Sequence, residues 1–205
     1  MKVLTEARRE AIVEAASKLF QEFGYEGASM NELAIRLRGS KATLYRYFPS
    51  KEALFDAVVR ASSTAGLAKA VQHLQSSVAQ QVELAPALRQ FGETMLSAMD
   101  EPAGALAVYR MVVAEAGRSE VGELFYAAGP RECVMALSAL LKAAMDRGDL
   151  RSADPEIMAL HFLGLVTAET GIRLYQRNPP RLSAVQTRAM VERAVDMFMG
   201  GAAPR

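Results

Sequence analysis

The chain is poor in most of what small proteins use for stapling, metal binding or catalysis. Its one cysteine, Cys133, cannot close an internal disulfide, which excludes a stapled secreted domain and leaves a reducing cytoplasm as the expected compartment. It has two histidines, His73 and His161, too far apart in sequence for a metal site, and Cys133 lacks neighbours at ligand spacing, so no metal is expected. There is no glycine-rich phosphate loop and no Gly-x-Ser-x-Gly elbow, so neither an enzyme nor a cofactor is indicated. Charge of one sign is also missing: 24 Lys and Arg against 23 Asp and Glu leave +1. Any affinity for nucleic acid must therefore come from local clustering. No run approaches ~18 uncharged apolar residues, so no membrane span is expected. Charges at Lys2, Glu6, Arg8, Arg9, Glu10, Glu14 and Lys18 interrupt any signal-peptide core.

What is present is helix-forming sequence. The 205 residues suit one or two domains, and 51% hydrophobic against 23% charged residues is an ordinary globular balance. Apolar residues recur at three and four, without sustained alternation and without an Asn-Gly or Asp-Gly hairpin turn. The pattern predicts an all-α fold of about nine helices. The first segment sets Ile12, Ala16, Leu19, Phe20 and Phe23 on one stripe and stops at Gly24, where a positive φ costs glycine little. Ser29 and Glu32 fit a capping box for a second helix with Met30, Leu33, Ala34 and Leu37 inward. Ser40 caps a short third helix carrying Leu44 and Phe48, which Pro49 ends. Ser50 opens a long fourth helix that fades near Gln75-Ser76-Ser77. Further on, Pro86, Pro102, Gly117, Gly129-Pro130, Gly148 and Pro179-Pro180 punctuate helical runs. Asp154-Pro155 and Ser183 with Gln186 read as helix starts.

Three short helices with a tight turn between the second and third outline a helix-turn-helix, whose last helix enters the major groove. Charge clusters there. Residues 28–51 hold Arg36, Arg38, Lys41, Arg46 and Lys51 against Glu32 alone, a net of +4, while residues 52–205 carry −2. Phosphate neutralisation by such a cluster gives sequence-independent, salt-sensitive affinity.

Three blocks in order, Arg9–Tyr25, Ser29–Ala34 and Ser40–Leu54, closely resemble the N-terminal domain of the tetracycline repressor (TetR) family. Tyr109–Arg118 and Gly148–Gly164 are similar to its AefR-like subgroup. The resemblance implies a helix-turn-helix DNA-binding domain over 1–52 and a helical ligand-binding and dimerisation domain over 53–205. It implies that Lys41, Ala42, Thr43 and Tyr45 face the groove or phosphates, that the Tyr47 hydroxyl bonds a phosphate, and that Lys51 reaches another beside helix N-terminal amides. Arg46 would address a guanine edge or a phosphate, and Ala42 or the Thr43 methyl a thymine methyl. Ser29 and Ser40 are caps first and phosphate contacts second. One departure concerns the turn, where the family's Ala-Gly-Val is replaced by Leu37-Arg38-Gly39. Gly39 is then expected to supply the unusual φ, and Arg38 adds a cation.

Residues 85–150 are rich in Met, Phe and Tyr, which suits an adaptable apolar pocket. Candidates to line it are Phe91, Met95, Met99, Tyr109, Phe125 and Met135, with Arg110, Glu115 and His161 to orient a ligand. The last two helices, about 155–177 and 183–199, carry apolar faces. One presents Leu160, Gly164, Ala168, Ile172 and Tyr175; the other presents Leu182, Val185, Ala189 and Phe198. The resemblance makes this pair a two-fold dimer interface. The reading is a cytoplasmic homodimeric regulator of double-stranded DNA, a repressor by the family's commoner habit, released from a pseudo-palindromic operator by a small, largely apolar effector. An all-helical carrier or a protein–protein adaptor is the alternative, and neither explains the basic cluster.

Overall fold

The computed structural model describes residues 4–100 and 105–204 and is all-helical. The described residues form ten α-helices and one 3-10 segment, against the nine helices expected from periodicity. They run α1 Glu6–Gly27, α2 Met30–Arg36, α3 Lys41–Tyr47, α4 Lys51–Ala79, α5 Leu84–Met99, α6 Ala105–Glu115, α7 Val121–Ala128, α8 Pro130–Asp146, α9 Pro155–Thr167 and α10 Ala184–Ala202. The 3-10 segment, Ala168–Tyr175, continues α9. Expected breakpoints at Gly117, Gly129-Pro130, Gly148 and Pro179-Pro180 fall between elements, whereas Pro86 sits inside the first turn of α5, where its missing N–H would be unpaired anyway. Pro102 lies outside the described residues.

Caps explain most boundaries. Thr5, Ser29, Ser40, Asp154 and Ser183 each accept a bond from a first-turn amide. Only Ser183 with Gln186 completes a reciprocal box. At Ser29 the returning arm is diverted, because the Glu32 carboxylate takes Arg36 Nε at 3.4 Å. Gly24 adopts φ +71 and kinks α1 where the sequence stops it. A methyl group added there would lie 2.5 Å from Glu115 Oε1 on α6. Gly24→Ala should therefore cost about 1–2 kcal/mol through the left-handed backbone alone, and more through that collision. Urea unfolding followed by circular dichroism measures it, and a neutral result would disprove the requirement.

Two cores form. The first unit runs through residue 63 and resumes from Ala105 to Ala128. Ile12, Leu19, Phe20, Leu33, Leu44, Phe48 and Phe55 fill it together with Val108, Met111, Val112, Val121 and Ala128. It thus cuts across a division at residue 52, because α6 lies on α1 and α7 on α6. Phe23, expected on the inward stripe, is 53% exposed and carries the Arg36 guanidinium 5.3 Å from its ring centroid. The stripe turns away from the core one turn too early for it.

The second unit holds residues 64–100 and 129–204. Its core joins Leu74, Leu88, Phe91, Leu137, Leu141, Phe162, Val191 and Phe198. Gly92 is required there, since a Cβ would meet Val191 Cγ1 at 2.9 Å. Asp100, at the end of α5, accepts bonds from the Arg173 guanidinium and from the Leu182 amide at 2.9 Å. Both charged side chains are nearly buried, at 11% and 12% exposure. The last helical stretch of α9 was expected to stay α-helical to about 177. It tightens to 3-10 instead: the Thr167 hydroxyl bonds Leu163 O at 2.8 Å and the Thr170 hydroxyl bonds Thr167 O at 2.8 Å, competing with the backbone ladder beside Gly171. By length and composition alone α9 with this extension could cross a bilayer. Met158, Ala159, Phe162 and Val166 nevertheless join the core of this unit, and Glu169 pairs with Arg193 of α10.

Candidate nucleic-acid interface

The third helix splits by its own spacing. Leu44 and Phe48 are buried at 2% each, while Ser40, Lys41, Ala42, Tyr45 and Arg46 are exposed, and Thr43 and Tyr47 are half-buried. Burial of Leu44 and Phe48 fixes the roll of α3, so Lys41, Ala42 and Tyr45 share the outward face. The Ser40 hydroxyl accepts the Thr43 amide at 3.1 Å and lies 2.8 Å from the Thr43 hydroxyl. Lys41 Nζ stands 5.9 Å from the Tyr45 ring centroid, one turn along. Tyr45 itself is 43% exposed, outside the core.

Tyr47, at the end of α3, and Lys51, at the start of α4, are both already engaged with other elements. The Tyr47 hydroxyl accepts the Thr5 amide at 3.1 Å, which fixes the ring and leaves its own proton to donate. Lys51 is half-buried, 4.3 Å from the centroid of the Tyr25 ring, and gives the Glu26 carbonyl a long bond of 3.4 Å. That bond is weak enough to exchange for a phosphate. Glu52 follows it, held below the usual carboxylate range chiefly by the Ser50 hydroxyl. The Tyr25 hydroxyl donates to Glu52 at 3.3 Å, and burial pushes its pKa above the ordinary phenol value.

Not every cation counted from sequence serves the cluster. Arg36 makes a bidentate pair with Glu22 at 3.0 and 2.6 Å and also holds Glu32, which lowers the Glu22 pKa. Its charge is spent within the protein. The turn also differs from expectation. Arg38, not Gly39, takes the left-handed conformation, at φ +48. The Arg38 amide bonds Ile35 O at 3.0 Å and the Gly39 amide bonds Ala34 O at 2.9 Å, the paired bonds of a Schellman ending. Gly39 serves another purpose: a Cβ there would lie 3.3 Å from Arg8 Nη2, which caps the Leu37 carbonyl at 3.2 Å. Arg8 of α1 thus holds the turn, a role no local sequence pattern signals.

The candidate ligand residues fall into both units. Tyr109, Arg110, Glu115 and Phe125 belong to the first, with the Tyr109 and Phe125 rings 5.9 Å apart. Phe91 and Met95 are buried in the second and Met99 is half-buried. Met135, at 62% exposure, and His161 lie on the surface of α8 and α9, away from that core. Cys133 is buried among apolar neighbours, which pushes its thiol pKa up to about 12. The expected intersubunit row Leu160, Gly164, Ala168 and Ile172 is exposed along its whole length. Val185 is exposed on α10, and Leu182 and Ala189 are half-buried. Phe198 departs from the expected face: it points inward, edge-on to Phe162 at 5.2 Å. Tyr175, expected on the face of Leu160 and Ile172, is 89% exposed at the end of the 3-10 segment, and Met197, 67% exposed on α10, was not singled out by spacing.

Comparison with known proteins is consistent with this arrangement. Residues 12–58 match the tetR family of bacterial regulatory proteins, and residues 86–201 match the C-terminal domain of AefR-like transcriptional repressors. The transcriptional regulator RutR of Escherichia coli K12 is 44% identical over 54 residues, and the A-factor receptor protein of Streptomyces griseus is 38% identical over 80. These stretches cover 26% and 38% of this chain and 26% and 29% of the two relatives, so the chain matches only about a quarter of their length. Likeness to solved structures extends further. A flavonoid-responsive regulator, FrrA, is 31% identical with a TM-score of 0.72, covering 97% of this chain and 99% of its own. A regulator from Mesorhizobium loti shares the fold at a TM-score of 0.77 and 22% identity, covering 98% and 100%. The chain belongs to the TetR family of bacterial transcriptional regulators, with an AefR-like C-terminal domain.

Proposed function

We propose that the protein is a cytoplasmic, homodimeric repressor that grips a pseudo-palindromic operator and lets go when a small, largely apolar molecule binds its helical remainder. The observation that carries this reading is the outward face of α3, where Lys41, Ala42 and Tyr45 stand clear of the core; Tyr47 ends the same helix and Lys51 begins the next. Arg46 adds a cation and Thr43 a methyl at the same helix, while Ser29 presents the start of α2. A palindromic site needs two such heads about one DNA turn, or a multiple, apart. The exposed row Leu160–Ile172 supports pairing through α9, and apart from its chain neighbours and the backbone of its own turn nothing lies within 4 Å of a Cβ placed at Gly164.

Release needs an effector that prefers the shape unable to hold DNA. A hundredfold loss of operator affinity requires ~2.7 kcal/mol of differential binding. The responsiveness of FrrA to flavonoids supports an aromatic effector for this chain too. Within the second unit Phe91, Met95 and Met99 are the apolar candidates to meet it; Tyr109 and Phe125, with Arg110 and Glu115 as polar groups, are separate candidates within the first. The helix α4 is the lever we favour, because it starts at Lys51 and continues unbroken into the second unit.

Selection of bound fragments from random duplex DNA tests the reading and yields half-site spacing at once. A fragment bound at nanomolar concentration with steep salt dependence is expected. A carrier or adaptor would enrich nothing. Lys51→Ala should weaken binding to every duplex similarly and lower the salt slope by about one per protomer, whereas Lys41→Ala should change which sequence is preferred. Unchanged affinity in Lys51→Ala would remove α4 from the DNA backbone.

A further inference from the structure

The turn of the helix-turn-helix puts its strain in an odd place. Arg38 occupies the left-handed position at φ +48, although a glycine stands next to it at Gly39. Glycine at position 38 would adopt that conformation without a steric penalty. The clearance for Arg8 explains Gly39, but nothing in the folding of the turn explains an arginine at 38. Its amide bond to Ile35 is one any residue would make. Strain retained where a better residue is available points to use of the side chain.

The side chain is also idle in the free protein. Arg36 is tied to Glu22 and Glu32, Arg9 to Glu6 and the Phe48 ring, and Arg8 to Leu37. Among the described residues the Arg38 guanidinium has no hydrogen bond, ion pair or ring partner, and the residue is exposed. Two residues, Gly39 and Ser40, separate it from Lys41, so the two Cα atoms, three steps apart, lie within about 11 Å of each other. A guanidinium at the mouth of the recognition helix has the planar donor geometry to grip a phosphate.

We propose that Arg38 is a DNA-backbone contact of the turn, trading folded stability for an arginine–phosphate pair. The proposal rests on the reading of this head as a duplex binder and assigns that head an additional phosphate. It predicts two effects of opposite sign from one substitution, which a purely structural residue does not give.

The test uses the full-length protein and a 40-base-pair mixed-sequence duplex, with anisotropy read across a potassium chloride series. Arg38→Gly should raise the melting temperature by about 2–4 °C. It should also weaken duplex binding about fivefold and take about 0.9 per protomer off the log–log salt slope. Arg38→Asn, which tolerates the left-handed backbone, should lose the same affinity and slope, and Arg38→Lys should keep the slope. Arg38→Gly with wild-type affinity and slope would overturn the proposal, and so would Arg38→Gly that melts lower than wild type. Lys51→Ala in the same assay separates the failures. If Lys51→Ala loses slope while Arg38→Gly and Arg38→Asn do not, this inference alone falls. If the wild-type protein ignores the duplex at low salt, the reading of the head falls and takes the inference with it.

Discussion

Phe55→Ala should remove about 3–5 kcal/mol of stability and with it all duplex binding at 37 °C. Phe55 is fully buried on α4 and meets the Phe20 ring edge-on at 5.6 Å and the Tyr25 ring at 5.1 Å. Phe20 and Tyr25 stack on each other at 5.7 Å, so the three rings close one cluster. Truncation leaves a cavity that α1 cannot fill by sliding, because Gly24 and Ala28 already fix its last turn. Domains hold only about 5–15 kcal/mol in total, so such a loss is a large share. Tyr25 also seats Lys51 and Glu52, so the cavity would disturb the start of α4 as well. The chain has no tryptophan, so circular dichroism and anisotropy are the readouts. A variant that melts within a few degrees of wild type and still binds would show that the ring cluster is dispensable.

Asp100→Ala should cost about 3 kcal/mol, more than a surface ion pair would. The carboxylate sits at the C-terminal end of α5, where the helix dipole disfavours a negative charge. Arg173 and the Leu182 amide compensate, and Arg181 stands farther off at 3.9 Å. Removal leaves a nearly buried guanidinium without its carboxylate and an amide without its acceptor. The 3-10 segment carrying Ile172 would lose its bond to Asp100 of α5, and the pairing proposed through α9 then predicts weaker self-association in sedimentation. Asp100→Asn, which keeps an acceptor for Leu182 but not the charge, should fall between. A loss below 1 kcal/mol in Asp100→Ala would show that this pair is balanced by its own desolvation.

Local chemistry was readable at the helix starts and at the α1 kink. Ser29, Ser40, Asp154 and Ser183 cap where they were expected to, and Gly24 takes the positive φ. The outward set of α3 followed from the inward spacing of Leu44 and Phe48. What the sequence hid depends on distant partners. Arg8 reaches Leu37 across 29 residues, and Arg173 reaches Asp100 across 73. Periodicity showed that α6 has an apolar face but could not say which core it serves, and Phe23 looked inward although Tyr25, beyond the Gly24 kink, is the aromatic that enters the core there. Counting charges overstated the basic cluster because Glu22, outside residues 28–51, had already claimed Arg36.

The membership of α6 and α7 in the first core limits how the protein can be divided. Val108, Met111, Val112, Val121 and Ala128 complete an interior begun by α1 through α4. An excised fragment ending near residue 60 would bare that apolar surface to water, and the same holds for a chimera that grafts these first helices onto another regulator. A transplantable reading module has to bring residues 105–128 along, although residues 64–104 separate the two stretches in sequence.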